Sequence, residues 1–94
     1  MALIDNTFLR QYELQVNEDL AIIEYSLQDR KIFLTKLIIP ESVSDDNFTE
    51  EFLILVLEDI RHREISVVPT APTIAKFIRK NRKYKKMLPV GIRI

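Results

Sequence analysis

The chain's clearest structural signal is Val67-Val68-Pro69-Thr70-Ala71-Pro72-Thr73-Ile74-Ala75-Lys76-Phe77-Ile78-Arg79-Lys80-Asn81, a β-branched run that enters a helix through two prolines. Proline lacks an amide hydrogen and fixes φ at about −65°, so we expect Pro69 to close a strand. Thr70 and Pro72 suit the cap and the first turn of a helix. The segment therefore predicts a strand that ends where a helix begins, a common place for small-molecule binding.

The segment before this passage has the features of another helix. Apolar residues recur at helical spacing over residues 48–60, although residues 52–57 alone would also suit a buried strand. We expect Asn47 to cap this helix with Glu50 reaching back, and an acidic first turn suits the positive end of the helix dipole. The cap and the overall length favour the helix.

The first part of the chain has the patterns of an antiparallel meander. Alternation of polar and apolar residues predicts a strand over residues 9–16 and a hairpin to a second strand over residues 20–27. A third strand over residues 31–39, apolar on both faces and ended by Pro40, is expected inside the sheet. The fold class is therefore α+β, with a three-stranded antiparallel meander, a crossover helix, a fourth strand and a C-terminal helix.

Length and composition limit the classes of function. A chain of 94 residues, 47% of them hydrophobic, suits a single domain over residues 1–94. The longest apolar run, residues 52–57, is far shorter than the roughly 20 residues of a membrane span, and no leader pattern precedes it. We expect a soluble, cytoplasmic protein without membrane contact. The absence of cysteine and the presence of one histidine, His62, argue against a metal site.

The net charge is zero, but acids and bases are separated along the chain. Residues 1–60 contain 4 basic and 13 acidic side chains, whereas residues 61–94 contain 10 basic and 1 acidic. The dense part of the basic half consists of Lys76, Arg79, Lys80, Arg82, Lys83, Lys85 and Lys86. Three interpretations stay open: a solvated helix face matched to an acidic surface of the same fold, a phosphate-bearing ligand, and self-association of acidic with basic halves. The zero net charge argues against nucleic-acid binding.

The chain resembles a known family in two segments and a late tyrosine. The segments are Ile32-Phe33-Leu34-Thr35-Lys36-Leu37-Ile38-Ile39-Pro40 and Val67-Val68-Pro69-Thr70-Ala71-Pro72, with a helix between them and Tyr84 after them. In this order they resemble the minimal GNAT-type N-acetyltransferase domain, often called YjdJ-type, over about residues 16–84. The resemblance implies acetyl-coenzyme A (acetyl-CoA) as the cofactor and an amine as the acceptor.

The resemblance also implies where the cofactor would bind. Acetyl-CoA would lie in a wedge between the third and fourth strands, with its pantetheine amides paired to backbone at residues 37–39. Its pyrophosphate would contact backbone amides of residues 44–49, at the positive end of a helix. The implied cofactor-binding residues are Leu37, Ile38, Ile39, Ser44, Asn47, Phe48, Thr49, Pro69, Thr70 and Ala71.

Several positions depart from the family pattern. The cofactor loop of relatives is typically rich in arginine and glycine, whereas this chain has Asp45 and Asp46, which repel a pyrophosphate. Ala71 stands where many relatives have a cysteine. Lys36 and Ile38 stand where relatives often have a histidine and a glutamate that face the substrate.

Three residues match the family pattern and are the remaining catalytic candidates: Glu24, Tyr25 and Tyr84. The alternative is that they are a surface acid and two packing tyrosines. The sequence thus predicts a GNAT-like domain with weak or lost acetyl-CoA binding that serves as a small binding module.

Two other functions stay open. One is an active acetyl-CoA-dependent N-acetyltransferase, whose acidic surface would attract a cationic amine and whose Lys80, Arg82 or Lys83 would hold cofactor phosphates. The other is a nucleic-acid or anion-binding protein that uses the basic run of residues 76–86.

Overall fold

The protein forms a mixed five-stranded sheet with three helices, as seen in a computed structural model that describes residues 2–43, 45–92 and 94. The elements are β1 (Ile4–Asn6), β2 (Gln11–Val16), β3 (Asp19–Gln28), β4 (Lys31–Ile38), α1 (Asp46–His62), β5 (Ser66–Pro69), α2 (Pro72–Arg79) and α3 (Arg82–Lys85). The predicted α+β class is confirmed, including the crossover helix and the strand that follows it.

The strands lie in the sheet in the order β1-β2-β3-β4-β5. The first four are antiparallel neighbours, and β5 pairs with β4 in parallel. A β-bulge interrupts the pairing of β3 with β4, because Glu24 faces Lys36 while Tyr25 faces Leu34, which leaves Thr35 as the extra residue. β4 therefore has a strand on each side, as its apolar character on both faces predicts.

One hydrophobic core joins the sheet to α1 and α2. Its largest members, almost completely buried, are Tyr12, Leu14, Ile23, Ile32, Leu34, Phe52, Leu53, Val56, Leu57, Ile60, Ile74 and Ile78. On the strands these residues recur at every second position, and on α1 they recur at helical spacing, so each element buries one face.

The start of α1 differs from the prediction. The N-cap is Asp45, whose carboxylate accepts the N–H of Asn47 at 2.9 Å, and α1 itself begins at Asp46. The predicted cap at Asn47 is therefore wrong. Aspartate and asparagine are equally favourable at this position, so the sequence offers several caps and the local packing selects one.

β1 is an edge strand that the sequence patterns do not predict, because three residues are too few to show a period. The carboxylate of Asp5 accepts the hydroxyl of Tyr25 at 2.5 Å and the guanidinium of Arg63 at 2.6 Å. Arg63 also lies 3.1 Å from Asp59, whose carboxylate accepts the hydroxyl of Tyr12 at 2.7 Å. These bonds fasten the edge strand to the end of α1.

Replacement of Asp5 tests this attachment. We expect Asp5→Ala to lower the free energy of unfolding by about 1–3 kcal/mol, because it removes the acceptor of the Tyr25 hydroxyl and one partner of Arg63. Urea unfolding measures the change. Glu18→Ala in the exposed turn between β2 and β3 removes the same charge and should change stability by less than about 0.5 kcal/mol. Equal losses in the two variants would contradict the attachment.

Candidate functional site

β4 and β5 separate at Leu34, and this separation opens one side of β4. Their parallel pairing ends where Leu34 faces Pro69. The carbonyl of Leu34 accepts the N–H groups of Thr70 and Ala71, both at 3.1 Å. Among the described residues, the rest of β4 is paired with β3 only. Alternate residues of that part direct their backbone N–H and C=O groups toward the open side.

The sequence explains why the strands separate here. Pro72, whose fixed φ and missing amide hydrogen suit the first turn of a helix, begins α2 three residues after Pro69 and turns the chain away from β4. The hydroxyl of Thr70 donates to the Leu34 carbonyl at 3.1 Å, so Ala71 and not the predicted Thr70 occupies the N-cap position. Pro69, Thr70 and Ala71, which the resemblance assigns to cofactor binding, form the junction at which β5 leaves β4.

A cleft of about 580 Å³ lies beside the open part of β4. Its lining residues are Leu37, Ile39, Asp46, Thr49, Glu50, Leu53, Thr73, Lys76, Phe77 and Lys80. Residues 46, 49, 50 and 53 and residues 73, 76, 77 and 80 have the same spacing, which places each set on one helical face. The cleft is therefore bounded by β4, one face of α1 and one face of α2.

Charges in the cleft are separated between its two helical walls. The acidic side chains, Asp46 and Glu50, come from α1, and the basic side chains, Lys76 and Lys80, come from the last turn of α2 and its C-cap. Within the described part of the chain, neither lysine has a carboxylate within 4 Å. The α2 wall therefore presents two unneutralised cations, and the α1 wall presents two carboxylates.

The first turn of α1 offers fewer free amides than the resemblance implies. The N–H of Asn47 donates to the Asp45 carboxylate, and the N–H of Phe48 donates to the Asp45 carbonyl at 3.1 Å. The side chain of Phe48 packs in the core against Phe52, with ring centroids 6.4 Å apart. Two of the amides that would contact an anion are thus already bonded within the chain.

Among the other implied cofactor residues, Leu37, Ile39 and Thr49 line the cleft. Ile38 lies between the first two along the chain, and its side chain points to the opposite face of the sheet. Ser44 lies outside the described residues. Three implied residues therefore meet at one cleft, and they supply apolar contact and one hydroxyl.

The catalytic candidates on β3 lie on opposite faces of the sheet. Glu24 and Tyr25 are consecutive residues of this strand, so their side chains point in opposite directions. Tyr25 is buried, and its burial together with the hydrogen bond to Asp5 raises its pKa to about 12. Glu24 faces Lys36 across the strand pair. Neither residue lines the cleft, and their catalytic roles stay predictions.

Tyr84 lies behind the cleft wall. Its ring stacks on that of Phe77, which lines the cleft, with centroids 6.2 Å apart. Its hydroxyl donates to Glu58 at 2.9 Å, and burial together with this carboxylate raises the pKa of Tyr84 to about 12. Tyr84 therefore joins α3 to α1, and of the three candidates it is the one in contact with a cleft residue.

The sequence analysis does not predict several of the residues that line the cleft. Among them are Glu50, Leu53, Thr73 and Phe77. The available signal is the repeated helical spacing of residues 46–53 and 73–80. Such spacing identifies a helical face but not the cavity to which the face belongs, because that depends on how the two helices pack.

The described residues contain no group of three or more His, Asp or Glu side chains placed to hold a metal ion. None of their helices combines the length with the apolar composition that a membrane crossing needs. The Nδ1 atom of His62 lies 2.7 Å from the carbonyl oxygen of Glu58, so this side chain is bound to its own helix.

The chain matches a known protein family. A family model described as GCN5-related N-acetyl-transferase matches residues 11–87. The matched span begins with β2 and extends beyond α3, and it includes every residue that lines the cleft. No curated protein matches the chain.

Glu58 should make the stability of the protein depend on pH. Hydrogen bonds from Lys83 and Arg61, and a further one from Tyr84, lower its pKa from 4.5 to about 2. Because the pKa is lower in the folded state, the stabilisation is present above about pH 4.5 and is lost as the pH falls toward about 2. Urea unfolding over this range should show a smaller pH-dependent loss for Glu58→Gln than for the unmodified protein. An identical pH dependence would contradict this role.

Proposed function

The chain belongs to the GCN5-related N-acetyltransferase family, and we propose that it is a YjdJ-type member that binds acetyl-CoA weakly and serves as a small binding module. The observation that carries this proposal is the first turn of α1. There the carboxylate of Asp45 accepts a hydrogen bond from the N–H of Asn47, and the side chains of Asp46 and Glu50 line the cleft. The family generally binds acetyl-CoA, so the proposal concerns how strongly this chain does so.

The shape of the cleft supports binding of the pantetheine arm. A volume of about 580 Å³ is in the usual range for small-molecule sites. The open side of β4 offers backbone groups that can pair with the amides of pantetheine, as one strand pairs with another. Leu37, Ile39 and Phe77 supply apolar contact on either side of that edge. These residues would hold the arm, and the bound cofactor would supply the thioester.

The charge of the α1 wall opposes the phosphate end of the same ligand. Two like charges about 4 Å apart repel by about 1 kcal/mol in water and by about 4 kcal/mol near a protein surface. The smaller value corresponds to about a fivefold loss of affinity for each carboxylate. Because Asp46 and Glu50 both line the cleft, the two penalties act on one ligand.

Neutralisation of the α1 wall tests this proposal. We expect Asp46→Asn and Glu50→Gln each to tighten acetyl-CoA binding by about fivefold in titration calorimetry, since each removes one repulsion. Glu51→Gln is the matched control, because Glu51 is an exposed residue of the same helical turn that does not line the cleft. It should change affinity less than twofold. Micromolar affinity of the unmodified protein would overturn the proposal.

A second candidate is an active N-acetyltransferase that acts on a cationic amine. The two unneutralised lysines of the α2 wall favour it, because they can bind cofactor phosphates despite the acidic α1 wall. Acetyl transfer requires a neutral amine, a polarised thioester carbonyl and a proton for the departing thiolate. As the proton donor, Tyr84 would have to exchange its hydrogen bond to Glu58 for one to the thiolate. Glu24 and Tyr25 do not line the cleft, so they would assist only an amine held outside it.

An acetylation assay separates this candidate from the first. If the protein is a transferase, a mixture of amines with acetyl-CoA should yield acetylated product, and Tyr84→Phe should slow its formation by about a hundredfold or more. Mass spectrometry of the mixture detects the product. Absence of product from every amine, with no cofactor binding, would exclude the transferase.

A further inference from the structure

The basic run contains one lysine that is already paired, Lys83, and two that line the cleft, Lys76 and Lys80. Lys83 lies 2.9 Å from Glu58, and its ammonium group is 5.6 Å from the centre of the Tyr84 ring. The positive charge of Lys83 is therefore paired with a carboxylate of the same fold. Lys76 and Lys80 line the cleft, and no carboxylate of the described residues lies within 4 Å of either.

The two cleft lysines are placed to act on one ligand. Lys76 lies in the last turn of α2 and Lys80, four residues later, is the C-cap of that helix, which corresponds to about one helical turn and a rise of about 6 Å. Both side chains are exposed, so their ammonium groups can reach toward the cleft without loss of an existing partner. A lysine ammonium is a compact charge that binds phosphate oxygens through any of its three hydrogens.

The opposite wall cannot take this role. Its carboxylates, Asp46 and Glu50, repel an anion, and the Asp45 side chain already accepts the N–H of Asn47. Consider an elongated ligand whose middle lies along the open side of β4. Its negatively charged end would be repelled by α1 and attracted by α2, so it would lie against α2. The electrostatic preference comes from the two walls together.

From this separation of charge we infer that, in this chain, Lys76 and Lys80 form the subsite of the cleft that binds the phosphates of the cofactor. The inference rests on the proposed function, because it concerns the charged end of the same ligand. It assigns to α2 the contact that the resemblance would place at the start of α1.

Two ligands and three variants test this assignment. The ligands are coenzyme A, which carries phosphates, and pantetheine, which carries none. We expect Lys76→Gln and Lys80→Gln each to weaken coenzyme A binding by about fivefold and to leave pantetheine binding unchanged, as followed by NMR titration. Lys85→Gln is the control, because it removes the same charge from an exposed position outside the cleft. It should change neither affinity by more than about twofold.

The outcomes distinguish the subsite from the proposed function. If the unmodified protein binds both ligands and the cleft variants bind coenzyme A as well as it does, the lysine subsite is refuted and the proposed function stands. An equal loss in the Lys85 variant would also refute the subsite, since it would reflect overall charge. If the unmodified protein binds neither ligand, the proposed function fails and the subsite fails with it.

Discussion

The separation of β4 from β5 at Leu34 is the constraint on which the cleft depends. The Leu34 carbonyl accepts the N–H groups of both Thr70 and Ala71, and the chain then turns away from β4 into α2. α2 can begin at Pro72 only because the chain turns away from β4 at this point. If the two strands stayed paired to the end of β4, β5 would fill the space that Leu37 and Phe77 now line. The turn from β5 into α2 thus leaves the backbone of β4 open to a ligand.

The fold places parts of the acidic and the basic segments of the chain on opposite sides of one cleft. α1 belongs to the acidic part and α2 to the basic part, and the crossover connection brings the two helices to opposite sides of one cleft. Part of the basic run neutralises acids within the fold, as Lys83 does with Glu58. Lys76 and Lys80 have no such partner among the described residues, so part of the remaining positive charge lies where a ligand would bind.

Most of the fold could be predicted from local patterns, whereas the cleft could not. The meander, the crossover helix and the junction at Pro69 follow from period, length and proline chemistry. The sequence does not predict the edge strand β1, because its attachment depends on hydrogen bonds of Asp5 with Tyr25 and Arg63, which are distant in sequence. The cap of α1 was misassigned because neighbouring residues suit the position equally well. The spacing of the cleft residues of α2 predicts a helical face. It does not predict a site, because the cleft also depends on residues of β4 and α1 that are distant in sequence.

The central claim is that a ligand lies along the open side of β4 between the two helices. An NMR titration of the isotopically labelled protein with acetyl-CoA locates the contact directly, and it is suited to weak binding. The largest changes in backbone amide chemical shift should fall on residues 35–39 and on the cleft faces of α1 and α2. Changes concentrated on β1 and β2, with residues 35–39 unaffected, would contradict the claim.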